Sequence, residues 1–92
     1  MPTATVILPP MLREKTEQQA RVDIEGATMR EILENLEQRF PGLRFHLCYE
    51  TGELRPYVNI FIEQANIRYL QGLDTPVMAG ARIRVLPSVA GG

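Results

Sequence analysis

The sequence closes on Gly91-Gly92 after a strand-like run, Arg82-Ile83-Arg84-Val85-Leu86. Glycine carries no side chain and tolerates almost any φ and ψ, so two such peptide units and a carboxylate can enter a channel too narrow for any other residue. The stretch from Pro87 to Gly92 reaches roughly 20 Å when extended, at about 3.3–3.6 Å per residue. An arm of that length carries the Gly92 carboxylate beyond a small domain and into a partner's active site; the plain alternative is a frayed chain end. Gly92 is therefore the candidate reacting residue, and Gly91, Ala90 and Val89 are the residues a partner would grip.

Other side chains with chemical potential read differently. Cys48 lies in an apolar run, Phe45-His46-Leu47-Cys48-Tyr49, where a free cysteine packs as a small hydrophobe. His46 has no carboxylate or second ligand at a readable spacing, so a structural or surface place is expected. One cysteine and one histidine fall short of a zinc constellation and exclude an internal disulfide. Glu31, Glu34 and Glu37 form a helical charge row that reads as a solvated face rather than a catalytic pair. Phe61, Arg84 and Leu86 form the second candidate site. If Val58, Ile60, Ile62, Ile83 and Val85 bury one sheet face, alternation puts Phe61, Arg82, Arg84 and Leu86 on the other. An apolar centre ringed by arginines is a docking surface, whereas Phe61 packed under a loop would be none.

Composition narrows the class. With 45% apolar residues in 92, the chain closes one small core and leaves no room for a second domain. Ten Lys+Arg against eleven Asp+Glu give a net charge of −1, so neither nucleic acid nor an acidic membrane is an expected partner. The start, Met1-Pro2-Thr3-Ala4-Thr5-Val6, lacks a basic and apolar leader, and no stretch nears the ~18 apolar residues of a membrane span. A reduced, cytoplasmic setting is expected.

The elements that must position these residues follow from periodicity. The β-branched run Thr3-Ala4-Thr5-Val6-Ile7-Leu8 stops at Pro9-Pro10, which removes two backbone donors. After a polar stretch from Arg13 to Gln19, residues 20–25 alternate apolar and charged, as a strand with one buried face does. The two are expected to pair as an antiparallel hairpin. Thr28 with Glu31 three residues on is a capping signature, and Met29, Ile32, Leu33, Leu36 and Phe40 recur at helical spacing. Pro41-Gly42 ends that helix, which is expected over 28–40. Leu43–Leu47 reads as a helical turn or loop and Glu50–Glu53 as a reversal. Tyr57–Ile62 is a central strand. Glu63–Asn66 is expected to turn the chain into a short Ile67–Leu70 segment, and 82–86 is the last strand, with Ile83 and Val85 inward. The order β-β-α-β-β-β suits an α+β fold, a single mixed sheet covered on one face by one helix, with the first and last strands parallel neighbours. That is the ubiquitin-like β-grasp, expected over 1–86, with a flexible Gly-Gly tail over 87–92.

The ending Leu86-Pro87-Ser88-Val89-Ala90-Gly91-Gly92 on this element order resembles the MoaD/ThiS sulfur-carrier family. Together with Arg55-Pro56-Tyr57-Val58-Asn59-Ile60-Phe61-Ile62 and Asn66-Ile67-Arg68, it most resembles the CysO-type carriers of cysteine biosynthesis, and the match covers nearly the whole chain. The resemblance implies that Gly92 is adenylated by an ATP-dependent, ubiquitin-activating-like adenylyltransferase/sulfurtransferase and converted to a thiocarboxylate. It implies a protein cosubstrate with no catalytic residue and no bound cofactor or metal of its own. The sulfur acceptor it implies is a PLP-dependent cysteine synthase or, if the chain is a molybdopterin synthase small subunit, the large subunit of that enzyme. A thiamin-type carrier remains open, as does a ubiquitin-like modifier that joins Gly92 to lysines, because nitrogen captures the same acyl-adenylate.

Overall fold

The alternating runs at both ends of the chain meet in the middle of one sheet. The computed structural model describes residues 2–87. Strands β1 (Thr3–Ile7) and β2 (Arg21–Glu25) form the expected antiparallel hairpin, with Val6 opposite Val22 and Ala4 opposite Ile24. Strand β3 (Val58–Ile62) pairs antiparallel with β5 (Arg82–Pro87), and β5 lies parallel to β1, Val6 beside Ile83. The sheet order is β2-β1-β5-β3-β4. Beginning and end of the described chain are thus adjacent central strands, and β5 runs one residue past its expected end at Leu86.

Helix α1 (Met29–Arg39) covers one face. Its stripe Met29, Ile32, Leu33 and Leu36 is buried with Phe40 against Ala4, Val6, Val22, Ile24, Val58, Ile60, Ile83 and Val85. Burying apolar area of this kind is the main term holding so small a domain together. The cap forms with one change from expectation: the Glu31 N–H donates to Thr28 Oγ1 at 3.3 Å, but the Glu31 carboxylate accepts from Ala27 N–H at 2.8 Å. The helix N-terminus is also tied sideways, Met29 N–H donating to Thr75 O and Val77 N–H to Ala27 O. At the other end Gly42 takes φ 96°, a conformation that favours glycine.

Two local expectations are overturned. The polar stretch between β1 and β2, expected as a short loop, carries a 3₁₀ segment, Pro10–Thr16. Pro10 starts it with φ preset, Leu12 and Thr16 turn inward, and the Thr16 hydroxyl lies 3.1 to 3.4 Å from the carbonyls of Leu12, Arg13 and Gln19. The short strand after β3 is Ala65–Asn66, β4, rather than the Ile67–Leu70 segment. Glu63, at φ 53°, takes the turn instead. Ile67 is buried from a 3₁₀ turn, Ile67–Tyr69, because Asn66 Oδ1 accepts the Arg68 N–H at 3.0 Å and bends the chain there. Residues 43–56 include the expected helical turn, Arg44–His46, and the expected reversal, where Gly52 at φ 92° donates to Tyr49 O.

Candidate functional site

Gly92, Gly91, Ala90 and Val89 lie outside the described residues. What the fold supplies is their root. β5 is central in the sheet and ends at Pro87, opposite Val58 of β3. Beside Pro87 opens a cleft of about 160 Å³ walled by Met11, Leu12, His46 and Tyr57. Met11 and Tyr57 are 55% and 42% exposed, large apolar surfaces standing where the chain departs. The parallel β1–β5 pairing explains Met11, since the segment leaving β1 must emerge at the same end of the sheet as the segment leaving β5. Sequence reading did not single out Met11 or Tyr57; the signal was the expected parallel pairing itself.

Phe61, Arg84 and Leu86 are brought to the uncovered face. Register puts Arg21, Ile7, Arg84 and Phe61 in one row across four positions of the sheet, with Leu86 two residues beyond Arg84 and opposite Asn59. The Arg84 guanidinium lies over the Phe61 ring at 5.5 Å from its centroid, a cation–π contact that holds both side chains flat on the sheet. Phe61 is therefore half-buried under Arg84 rather than under a loop, and Leu86 is 44% exposed. Arg82 is engaged by Glu63, whose carboxylate accepts the Arg82 N–H at 3.0 Å and lies 3.7 Å from its Nε. Among the described residues neither Arg84 nor Arg21, which stands in the same row, forms a salt bridge, and Arg84 is the one of the two that lies against Phe61.

The remaining candidates have structural places. Cys48 is buried, and desolvation pushes its thiol above the ordinary range while the nearby Arg44 pulls less strongly the other way; a thiol so placed is a poor nucleophile. His46 is exposed at the cleft beside Pro87. The glutamate row divides. Glu34 is exposed as expected, but Glu31 caps α1 and Glu37 accepts from Gly42 N–H and Arg44 N–H, both at 2.8 Å. Among the described residues no group of His, Cys, Asp or Glu could hold a metal ion, and no helix is long and apolar enough to cross a membrane.

Comparison with known proteins fits this geometry. The sequence model of the ThiS family matches residues 6–92. The chain belongs to the ThiS family. Within that family it is 33% identical over 90 residues to sulfur carrier protein CysO of Mycobacterium tuberculosis, covering 96% of this chain and 97% of the relative. It is 38% identical over 72 residues to small archaeal modifier protein 3 of Haloferax volcanii, covering 78% of this chain and 76% of that one. In three dimensions it matches a chain from the crystal structure of the Amycolatopsis orientalis BexX/CysO complex with a TM-score of 0.90 at 34% identity, covering 97% of this chain and 99% of that chain. The expected β-grasp architecture holds for the described residues, while the expected tail lies outside them. These ThiS-family relatives are carriers and modifiers by name, not catalysts.

Proposed function

We propose that this chain is a sulfur carrier of the CysO type, reacting through the Gly92 carboxylate. A carboxylate is a poor electrophile, so the chemistry begins by attack of its oxygen on the α-phosphorus of ATP, with pyrophosphate leaving, on a ubiquitin-activating-like adenylyltransferase. A sulfide-level donor then displaces AMP: the C–O bond to AMP breaks, a C–S bond forms, and no oxidant is needed. The thiocarboxylate sulfur is a soft nucleophile, which a PLP-dependent cysteine synthase would accept onto an activated serine. The observation that carries this reading is the 33% identity to a sulfur carrier over nearly the full length of both chains. The exit of β5 at Pro87 beside an exposed apolar cleft supports it, because a tail handed to an enzyme needs a rigid root.

A second reading, conjugation of Gly92 to lysines, is favoured by the identity to a small archaeal modifier protein. Mass spectrometry of the protein purified from its own cell separates the two. A C-terminal oxygen replaced by sulfur, trapped by alkylation, is the carrier outcome; an isopeptide to lysine is the modifier outcome. Unmodified Gly92 under sulfur demand would overturn both. Deleting Gly91-Gly92 should abolish ATP–pyrophosphate exchange by the adenylyltransferase while leaving thermal melting unchanged.

A further inference from the structure

Three backbone carbonyls converge on a single nitrogen. Nη2 of Arg68, with two N–H groups, lies 2.8 Å from Arg55 O, 3.2 Å from Pro56 O and 2.6 Å from Val58 O, so one of its N–H groups is shared between two carbonyls. A guanidinium suits such a place because it stays charged and presents donors in a rigid fork, and charge-assisted bonds of this kind are the strong ones. The clamp is itself held: the Arg68 N–H donates to Asn66 Oδ1 at 3.0 Å, and Asn66 Nδ2 donates to Asn59 Oδ1 at 3.1 Å. The segments 55–59 and 66–68 thus form one locked unit. Its outer edge is the root of the tail, since Val58 stands opposite Pro87. Proline has no N–H to give, and Val58 has none to spare, its N–H going to Arg55 O at 3.0 Å and its carbonyl to Arg68. Pro87 is therefore held through its neighbour Leu86, which faces Asn59, and through the cleft it shares with Tyr57. Both depend on where the clamped segment lies.

We propose that Arg68 is a positioning residue for transfer of the tail: by pinning residues 55–58 it fixes Tyr57 and Asn59 against Pro87 and Leu86, and so holds the root from which the tail is offered to the activating enzyme. This rests on the carrier reading. Misdirection costs binding of the tail in a productive pose, not the chemistry that follows once it is seated.

The test uses the full chain and the ubiquitin-activating-like adenylyltransferase of the same cell, with ATP–pyrophosphate exchange measured against carrier concentration. Arg68→Ala should raise KM for the carrier about tenfold with kcat within about twofold, and Arg68→Lys, which keeps the charge but not the fork, should recover only part of it. Native-state amide exchange provides the second readout. In Arg68→Ala, Asn59 and Leu86 should exchange about tenfold faster while Val6 and Ile24 stay as in the parent. If the parent is adenylated and Arg68→Ala shows the parent's KM, the inference is overturned and the carrier reading stands. Exchange accelerated everywhere, or nowhere, likewise overturns it, since the effect would not be local to the tail root. If the parent itself is not adenylated, the carrier reading falls first.

Discussion

Phe61 and Arg84 face each other across β3 and β5, with the Arg84 guanidinium carbon 5.5 Å from the centroid of the Phe61 ring. The pair places a positive charge on top of an aromatic surface at the centre of the uncovered face, with Leu86 one strand step closer to the tail. We propose that a partner taking the tail docks on this face, and the chemistry that would match it is apolar with a carboxylate set against Arg84.

Phe61→Ala and Leu86→Ala should each weaken association with the adenylyltransferase by about 1–3 kcal/mol, the usual range for truncating an interface anchor. Arg84→Glu should weaken it further by reversing the charge. Titration calorimetry checks all three, with thermal melting as the control. A variant that melts far below the parent yet binds as tightly would assign its side chain to the fold and not to the interface.

Leu33→Ala and Ile60→Ala remove large side chains from the two sides of the core, helix stripe and central strand. Each should cost about 2–5 kcal/mol, the transfer term plus the cavity left behind. For a marginally stable domain this shows as a large drop in the denaturant midpoint. Unchanged midpoints would mean the core does not close between these residues.

How much of this was readable from the sequence follows from where each signal is set. The inward places of Ile83 and Val85 and the stripe from Met29 to Phe40 are written in periods of 2 and 3.6, because local backbone geometry alone decides which side chains share a face. The Thr28 cap is written just as locally. The Arg68 clamp is not, since its three acceptors are backbone carbonyls that any residues at 55, 56 and 58 would supply, brought near only by the tertiary fold. Ile67 reads as strand because it is apolar, and only its burial from a 3₁₀ turn reveals otherwise. Of the candidate site, the face of Phe61, Arg84 and Leu86 was legible by alternation, while Met11 and Tyr57 at the tail root became visible only once the parallel pairing of β1 and β5 had joined distant segments.

Gly26→Ala should destabilise the fold without touching any functional surface. A Cβ at Gly26 would come within 2.8 Å of Ile32 N and 3.0 Å of Ile32 Cδ1, so either the first turn of α1 or the end of β2 must shift. Overpacking of this sort costs about 1–3 kcal/mol. Equilibrium urea unfolding reads the loss directly, and a parent-like midpoint would show that the turn between β2 and α1 absorbs the methyl group.

Cys48 should resist alkylation by iodoacetamide in the folded protein and react readily once denaturant is added, because burial disfavours its thiolate. The same burial has a consequence for stability. The folded thiol titrates above the unfolded one, so as pH rises past the ordinary thiol range the unfolded state loses its proton first and stability falls. Below that range the thiol is neutral in both states and contributes no pH dependence. The difference in stability between the parent and Cys48→Ala should therefore narrow as pH is raised through the alkaline range; a difference that widens would reverse the sign assigned to the burial effect.

The last prediction concerns Glu37, which a helical charge row would place in solvent. Its two carboxylate oxygens instead accept from Gly42 N–H and Arg44 N–H at 2.8 Å each, tying the chain that leaves α1 back onto the helix. Pro41 and the positive φ of Gly42 turn the backbone out of the helix, which leaves those two N–H groups without helical acceptors. Glu37→Ala removes both acceptors at once and should cost about 1–3 kcal/mol, the net worth of two hydrogen bonds at about 0.5–1.5 kcal/mol each. Glu37→Gln keeps one carbonyl oxygen and should lose less. Faster amide exchange at Gly42 and Arg44, with Ile60 and Val85 unchanged, would locate the damage at the helix exit, and equal stability of all three proteins would return Glu37 to the solvated row.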